Sequence, residues 1–456
     1  MKSKLFLALL VLIITIGNAN AATPAEITAS VQKGTAWLAL QQNADGSWNG
    51  DTATTALAVL KFEEYAKELG KSPFDPSYLY NTQVTDGLNF IFAHLDTTQI
   101  SDQTYEDGVI GDPDSNGNGI GVYVASAFNG ESNYYNGIVI MAISASNDPS
   151  RVVNVAGSPV NGQTYMQVAE DMVDYIAFGQ VDTGSGRGAW DYWGTDSNNP
   201  TSERGDNSVS GWVTLGLGYA NSNFGIATPG FVKTELNRYI DYIQNQPGGG
   251  DDWCSADPDG GSGYTDPACW VNTYKTGSLL YQMKMVGDTV ATPRVMDAVD
   301  YIERHWNDAN QDPGWRDGIG TSNYQATFSL LKGFDVFGIT QIDVGGPLDW
   351  FDDMATEIIN EQYADGHWQG SMWGNAVLDT VWALLTIEKA VTGPQPQCSD
   401  GIDNDGDGLI DMDDPGCENP QDNSEANGGP SIPEFPTIAM PVMAIIGLLF
   451  LLHRKK

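Results

Sequence analysis

Six times along this chain the same pair of segments recurs, and that repetition constrains its fold more than any other feature. The first segment of each pair carries apolar residues at three- and four-residue spacing with charges between them. That is the pattern of a helix with one buried face. The second segment is crowded with Gly, Ala, Ser, Thr and large apolar residues and is nearly free of charge, as in a helix buried on most of its circumference. In the first unit SVQKGTAWLALQQ is followed by NADGSW and TATTALAVLKFEEYAKE. In the last, DWFDDMATEIINEQ is followed by YADGHW and WGNAVLDTVWALLTIEKA. Between them QVAEDMVDYIAFGQ pairs with DNSVSGWVTLGLGYA, and VMDAVDYIERHW with SNYQATFSLLKGF. Six outer helices alternating with six inner ones predict an all-α protein, an (α/α)6 toroid over residues 22–391. An open superhelix is the competing arrangement, because stacked helix pairs also build solenoids. The lack of a polar capping unit favours closure.

The turns of the first and last units share the form Q-x-x-D-G-x-W, with Gln42, Gly46 and Trp48 in one and Gln362, Gly366 and Trp368 in the other. The Gln amide is placed to donate to the unpartnered last carbonyls of its outer helix. Gly supplies the left-handed reversal, and Trp closes the junction as an apolar lid with one N–H to satisfy. This motif resembles the Q-x-x-x-G-x-W repeat of squalene and oxidosqualene cyclases, and the helix pairs resemble those of protein prenyltransferase β subunits. The resemblance spans about residues 25–390, with full motifs in the first and sixth units only. It implies a toroid around a central cavity, and it does not by itself imply the chemistry of those enzymes.

The chemical motifs of those families are not matched. Asp411-Met412-Asp413-Asp414 has the letters of the cyclase D-x-D-D acid, yet it lies outside the repeats, away from any dry cavity that would raise a carboxyl pKa. Of the Asp/Cys/His zinc set of prenyltransferases only Asp266 and Cys269 have counterparts, so zinc is not expected. The Cys-Gly-Glu-Gln motif of complement-type thioester domains is missing. Asp51, Glu131, Asp206, Asp266, Asp317 and Asp379 lie near inner-helix starts and are candidate acids for a polysaccharide hydrolase or lyase. N-capping is the competing role for Asp51, Asp206 and Asp266. Trp190, Trp193, Trp212, Trp253, Trp270 and Trp373 are candidates for a sugar-stacking floor, against a role in packing helix ends.

The termini read as address and anchor. A basic start, an apolar run from Leu5 to Ile16 and Ala19-Asn20-Ala21 predict a secretory signal peptide over 1–21. Pro433-Glu434-Phe435, an apolar stretch and a basic close over 433–456 resemble an archaeal PEF-type sorting signal, which implies attachment through a membrane transpeptidase or, failing cleavage, a membrane anchor. Residues 392–397 and 418–432 read as linkers around 398–417. In that segment Asp403, Asp405, Asp407, the Leu409 carbonyl, Asp411 and Asp414 fall at the ligand positions of a calcium loop, so Ca²⁺ is the expected ion. Asp112-Pro113-Asp114-Ser115-Asn116-Gly117 and Asp257-Pro258-Asp259-Gly260 are weaker calcium candidates without a full ligand set. Cys254, Cys269, Cys398 and Cys417 allow three disulfide pairings; the local one, 254–269 and 398–417, is favoured because each pair brackets one polar loop.

With 59 acidic against 21 basic residues the chain carries a formal charge of −38, which argues against nucleic acid as a partner. The leading expectation is an exported, surface-attached, non-catalytic protein that binds an extracellular ligand, a glycan or envelope component among them, or serves as part of the cell envelope. A polysaccharide hydrolase or lyase is the alternative, and a terpenoid cyclase or prenyltransferase-like enzyme is third.

Overall fold

The computed structural model describes residues 21–125, 132–192, 204–244, 260–309, 313–317, 320–370, 374–388 and Cys417. The chain divides into two units, 1–391 and 392–456. Of the second only Cys417, which is disulfide-bonded, lies among the described residues. Among those residues twelve helices run in outer–inner order. The outer helices are α1 (Pro24–Ala39), α3 (Asn81–Ala93), α5 (Tyr165–Phe178), α7 (Gly230–Ile243), α9 (Pro293–His305) and α11 (Trp350–Asn360). The inner helices are α2 (Thr52–Glu68), α4 (Ser132–Ala145), α6 (Asn207–Phe224), α8 (Thr273–Met285), α10 (Tyr324–Asp335) and α12 (Ala376–Ile387).

The two patterns seen in sequence become two kinds of burial. On α9 only Val295, Ala298, Tyr301 and Ile302 are buried, one stripe at three- and four-residue spacing. On α2, fourteen of seventeen residues are buried. Successive inner helices pack on each other from α2 through α12, and α12 packs back on α2. The inner ring is therefore closed, and the open superhelix is excluded. Glycines set the closest approaches within it. A Cβ on Gly137 of α4 would lie 2.4 Å from the Trp212 carbonyl of α6, and one on Gly333 of α10 would lie 2.4 Å from the Gly277 carbonyl of α8.

The outer-to-inner turn works differently from the sequence expectation. Gln42 Nε2 does not donate to the end of its own helix. It donates to the carbonyl of Gly46 in the turn and to that of Gln83 on α3, the next outer helix. Trp48 instead serves its own helix, its indole N–H donating to the Leu38 carbonyl at 2.9 Å. Its backbone N–H is received by Thr55 Oγ1 on the inner helix. Gly46, at φ +90, lies against α3 so closely that a Cβ would be 2.3 Å from the Asp86 carbonyl.

The same set recurs in three further units. Gln180 reaches Gly188 and Val232 of α7; Gln244 reaches Gly260 and Arg294 of α9; Gln362 reaches Gly366 and Ser30 of α1. The last bond joins the end of the ring to its beginning. In the fifth unit Arg316 takes over, donating to the Trp306 carbonyl and to both oxygens of Glu357 on α11.

The fold is not wholly helical. Three two-stranded antiparallel sheets sit in the connections. They pair β1 (Leu95–Gln99) with β4 (Ile120–Val124), β2 (Gln103–Thr104) with β3 (Ile110–Gly111), and β5 (Gln341–Asp343) with β6 (Pro347–Asp349). β4 packs on α5, so this hairpin thickens the outer layer. No described helix is long and apolar enough to cross a membrane.

Gln362→Ala removes the donation to Ser30 that closes the ring, strands the Gly366 carbonyl of the turn, and leaves the Ser30 hydroxyl without its acceptor. We expect a loss of about 1–3 kcal/mol in chemical denaturation. A midpoint equal to wild type would show that closure does not rest on this residue.

Candidate functional site

The centre of the ring is filled by side chains. Trp212 of α6 stacks on Phe328 of α10, centroids 6.0 Å apart, and the two are 3% and 0% exposed. Deeper, Lys332 of α10 donates to Tyr219 Oη of α6 at 2.9 Å, and Tyr219 donates to Glu64 of α2 at 3.3 Å. α2, α6 and α10 are alternate members of the ring, so these contacts cross its axis. Beyond that level, at the inner-helix C-termini, Glu63, Glu64, Lys67, Lys71 and Asn147 line a cavity of about 360 Å³. Both Glu63 oxygens are buried there without a hydrogen-bond partner, and burial holds this carboxyl well above the usual range.

The opposite mouth is built on helix caps. Asp51, Asp206, Asn272, Asn323 and Asn375 precede α2, α6, α8, α10 and α12, and each accepts from the backbone of the first turn. Asp51 also receives the Tyr135 hydroxyl at 2.7 Å. Asp206 is fully buried, holds Ser208 and Val209, and is pushed up by desolvation. Asp266 does not cap: it accepts from Ala268 N in its own loop, and Asn272 caps α8 in its place. The Asn caps are as good acceptors as Asp, and reading only carboxylates as candidates missed them.

A tyrosine cluster surrounds these caps. Tyr134 stacks on Tyr192 at 5.9 Å and meets Trp212 edge-on; Tyr192 and Tyr264 share a hydrogen bond of 3.2 Å; Gln325 donates to Tyr274. Next to Tyr264, at 5.6 Å, stands Trp270. It is 44% exposed and holds a backbone φ of +54, a left-handed conformation that a bulky residue rarely adopts. Its neighbour Cys269 is disulfide-bonded. Of the other candidate tryptophans, Trp190 and Trp212 are core residues, and Trp193, Trp253 and Trp373 lie outside the described residues.

The structure brings two candidate acids together. Asp379, on the first turn of α12, accepts from Gly370 N at 3.0 Å. Asp317 accepts from Thr321, and its Oδ2 lies 3.6 Å from the place a Cβ on Gly370 would take. Burial first, and then the Asp317 charge, push Asp379 up to about 6. Glu361, unnoticed in sequence, accepts from Ser322 N and Tyr324 Oη nearby, and burial pushes it up to about 7. Asp365 and His367 form a turn pair at 2.6 Å, with the imidazole stacked on Trp37 and Tyr363. Glu131, Cys254, Cys398 and the calcium loop Asp403–Asp414 lie outside the described residues.

Residues 432–456 match the PEF-CTERM archaeal protein sorting domain. No curated protein matches the chain. Among solved structures it is similar to a type II terpene cyclase from Scytonema, at 12% identity over 81% of this chain and 99% of that one, TM-score 0.45. It is also similar to an alpha-1,6-mannanase from Salegentibacter, at 12% identity over 80% and 98%, TM-score 0.48.

Carboxyls raised above their unfolded values stabilise the fold while protonated, and that stability is lost as pH rises through the folded values. Asp379 and Glu361, raised from 3.8 to about 6 and from 4.5 to about 7, therefore predict a melting temperature that falls between about pH 4 and about pH 7. Glu361→Gln should flatten this slope in thermal scans; an unchanged slope would contradict the assignment.

Proposed function

We propose that this is an exported protein held at the cell surface, and that it binds an extracellular glycan at the inner-helix N-terminal mouth. The observation that carries the reading is Trp270. An exposed indole kept in a left-handed backbone beside Tyr264 costs conformational energy, and such strain persists where a surface is used. A flat aromatic face is suited to stacking on a sugar ring, and the tyrosine hydroxyls around it offer donors and acceptors for the sugar hydroxyls. The filled axis supports binding at the rim: with Trp212 on Phe328 and Lys332 on Tyr219, the ring holds side chains where an enclosing chamber for a hydrocarbon substrate would need space. The sorting domain supports surface attachment, with a signal peptide over 1–21 supplying export and a Ca²⁺-bound loop at Asp403–Asp414 stiffening the spacer between toroid and anchor.

A second reading has its own observation. Asp379 and Asp317 both lie against Gly370, and an acid near 6 that feels the charge of a second carboxylate is a feature of glycoside hydrolase sites. Affinity electrophoresis in gels cast with envelope polysaccharide separates the two. We expect retarded migration for the wild type, lost in Trp270→Ala, with no reducing ends released. Release of reducing ends that disappears in Asp379→Asn would establish the hydrolase. Migration unaffected by any polysaccharide would sink the glycan reading.

A further inference from the structure

The loop Asp112-Pro113-Asp114-Ser115-Asn116-Gly117-Asn118-Gly119 connects β3 to β4 and is folded around one acid. Asp114 accepts from the N–H groups of Gly117 at 2.8 Å, Asn118 at 3.1 Å and Gly119 at 2.7 Å. Its D-x-D-x-N-G spacing is the first half of an oxygen-ligand calcium loop. Counting on from Asp112, Tyr123 stands where such a loop would place its closing Glu, so the local sequence is short of acids.

The fold supplies the missing acids from another element. α5 lays Asp171 and Asp174, 2% and 0% exposed, against this loop. Asn116 and Asn118 both donate their side-chain amides to Asp171 Oδ1 at 2.8 Å, and Ser115 N donates to Asp174 Oδ1 at 3.2 Å. The second oxygen of Asp174 is buried with no hydrogen-bond partner, next to the oxygen that meets the loop. Asp171 and Asp174 also feel the charge of Asp114. Taking a carboxylate out of water and leaving one of its oxygens unmatched is costly unless a positive group meets it. Asp112, Asn116 and Asn118 are exposed, which leaves a path to the site from solvent.

We propose that this loop and the Asp171–Asp174 face of α5 together form a calcium site. The donor set is all oxygen: two carboxylates of α5, those of Asp112 and Asp114, and the Asn116 and Asn118 side chains. That set suits a hard cation of flexible coordination such as Ca²⁺ and not Zn²⁺. With the side chains as they stand, no three Asp, Glu, His or Cys groups among the described residues are gathered to hold a metal. Binding completes the gathering. The two amides turn from donating to Asp171 to presenting their oxygens, and the carboxylates draw in around the ion. Bound calcium then ties the β1–β4 connection to the outer ring.

The test uses the full chain with Asp403, Asp405 and Asp407 each changed to Asn, which silences the tail loop. Calcium is titrated into chelator-treated protein by equilibrium dialysis and calorimetry, alongside thermal unfolding with and without calcium chloride. We expect one Ca²⁺ per chain to remain and the melting temperature to rise with calcium. Adding Asp114→Asn and Asp174→Asn should abolish both responses while leaving the calcium-free melt cooperative. No calcium bound to the tail-silenced chain would overturn the proposal, as would binding that survives the two further substitutions. Should the further variant fail to fold, Asp112→Asn at an exposed side chain replaces it, and calcium binding unchanged by that substitution would overturn the proposal.

Discussion

A side-chain amide that bonds two carbonyls at once holds the ring together. In four units a Gln reaches the Gly carbonyl of its own turn and a carbonyl on the next outer helix, as Gln42 does with Gly46 and Gln83. Each outer helix is thereby fixed to its successor: the amide satisfies the Gly carbonyl of its turn and adds a second donor to a carbonyl already inside the next helix. The geometry demands Gly at the crossing, since the positive-φ backbone of Gly188 passes so near Glu235 that a Cβ would be 1.9 Å from its carbonyl. It also demands Trp in three of the four, where the indole fills the junction and satisfies a carbonyl four residues before the Gln. Because Gln362 makes this bond to Ser30, the device that propagates the repeat also ends it.

A closed ring of alternating helices leaves an axis, and the inner residues decide what becomes of it. Here the axis is filled from three alternate helices, with Trp212, Phe328, Tyr219, Lys332 and Glu64 meeting in the middle. Burying Lys332 and Glu64 is tolerable because Tyr219 bridges them. Surfaces that a ligand can reach are then left to the ends of the ring. The N-terminal mouth carries capped helix starts, a tyrosine cluster and the exposed Trp270. Polar and aromatic groups converge there without competing with the packing below.

The helix pairs, their order and the first and last turns were legible because they rest on local chemistry: periodic apolar residues, a Gly for reversal, an acceptor at each N-cap. The third and fourth copies of the turn were harder to see. Their Gln and Gly are separated by longer insertions, Gln180 to Gly188 and Gln244 to Gly260, and the fourth has Ser262 where Trp would stand. The expectation for Gln itself was wrong in its target, because the nearest unpaired carbonyls in sequence are not the nearest in space. The hairpins in the connections escape a reading of local pattern because their strands are only two to five residues long.

The same division runs through the candidate sites. Asp51 and Asp206 were readable as caps, since capping depends on the three residues that follow. That Asp317 and Asp379 flank one glycine, that Glu361 joins them, and that Asp171 and Asp174 lie under the loop at Asp112 could not be read. These groups lie tens of residues apart and meet only when the ring is built. The sequence by itself determined a repeated helix pair, its outer and inner faces, and a strongly acidic balance. Tertiary structure decided that the ring closes, that its axis is filled, and which distant carboxylates share a site, because those depend on distances that no local pattern encodes.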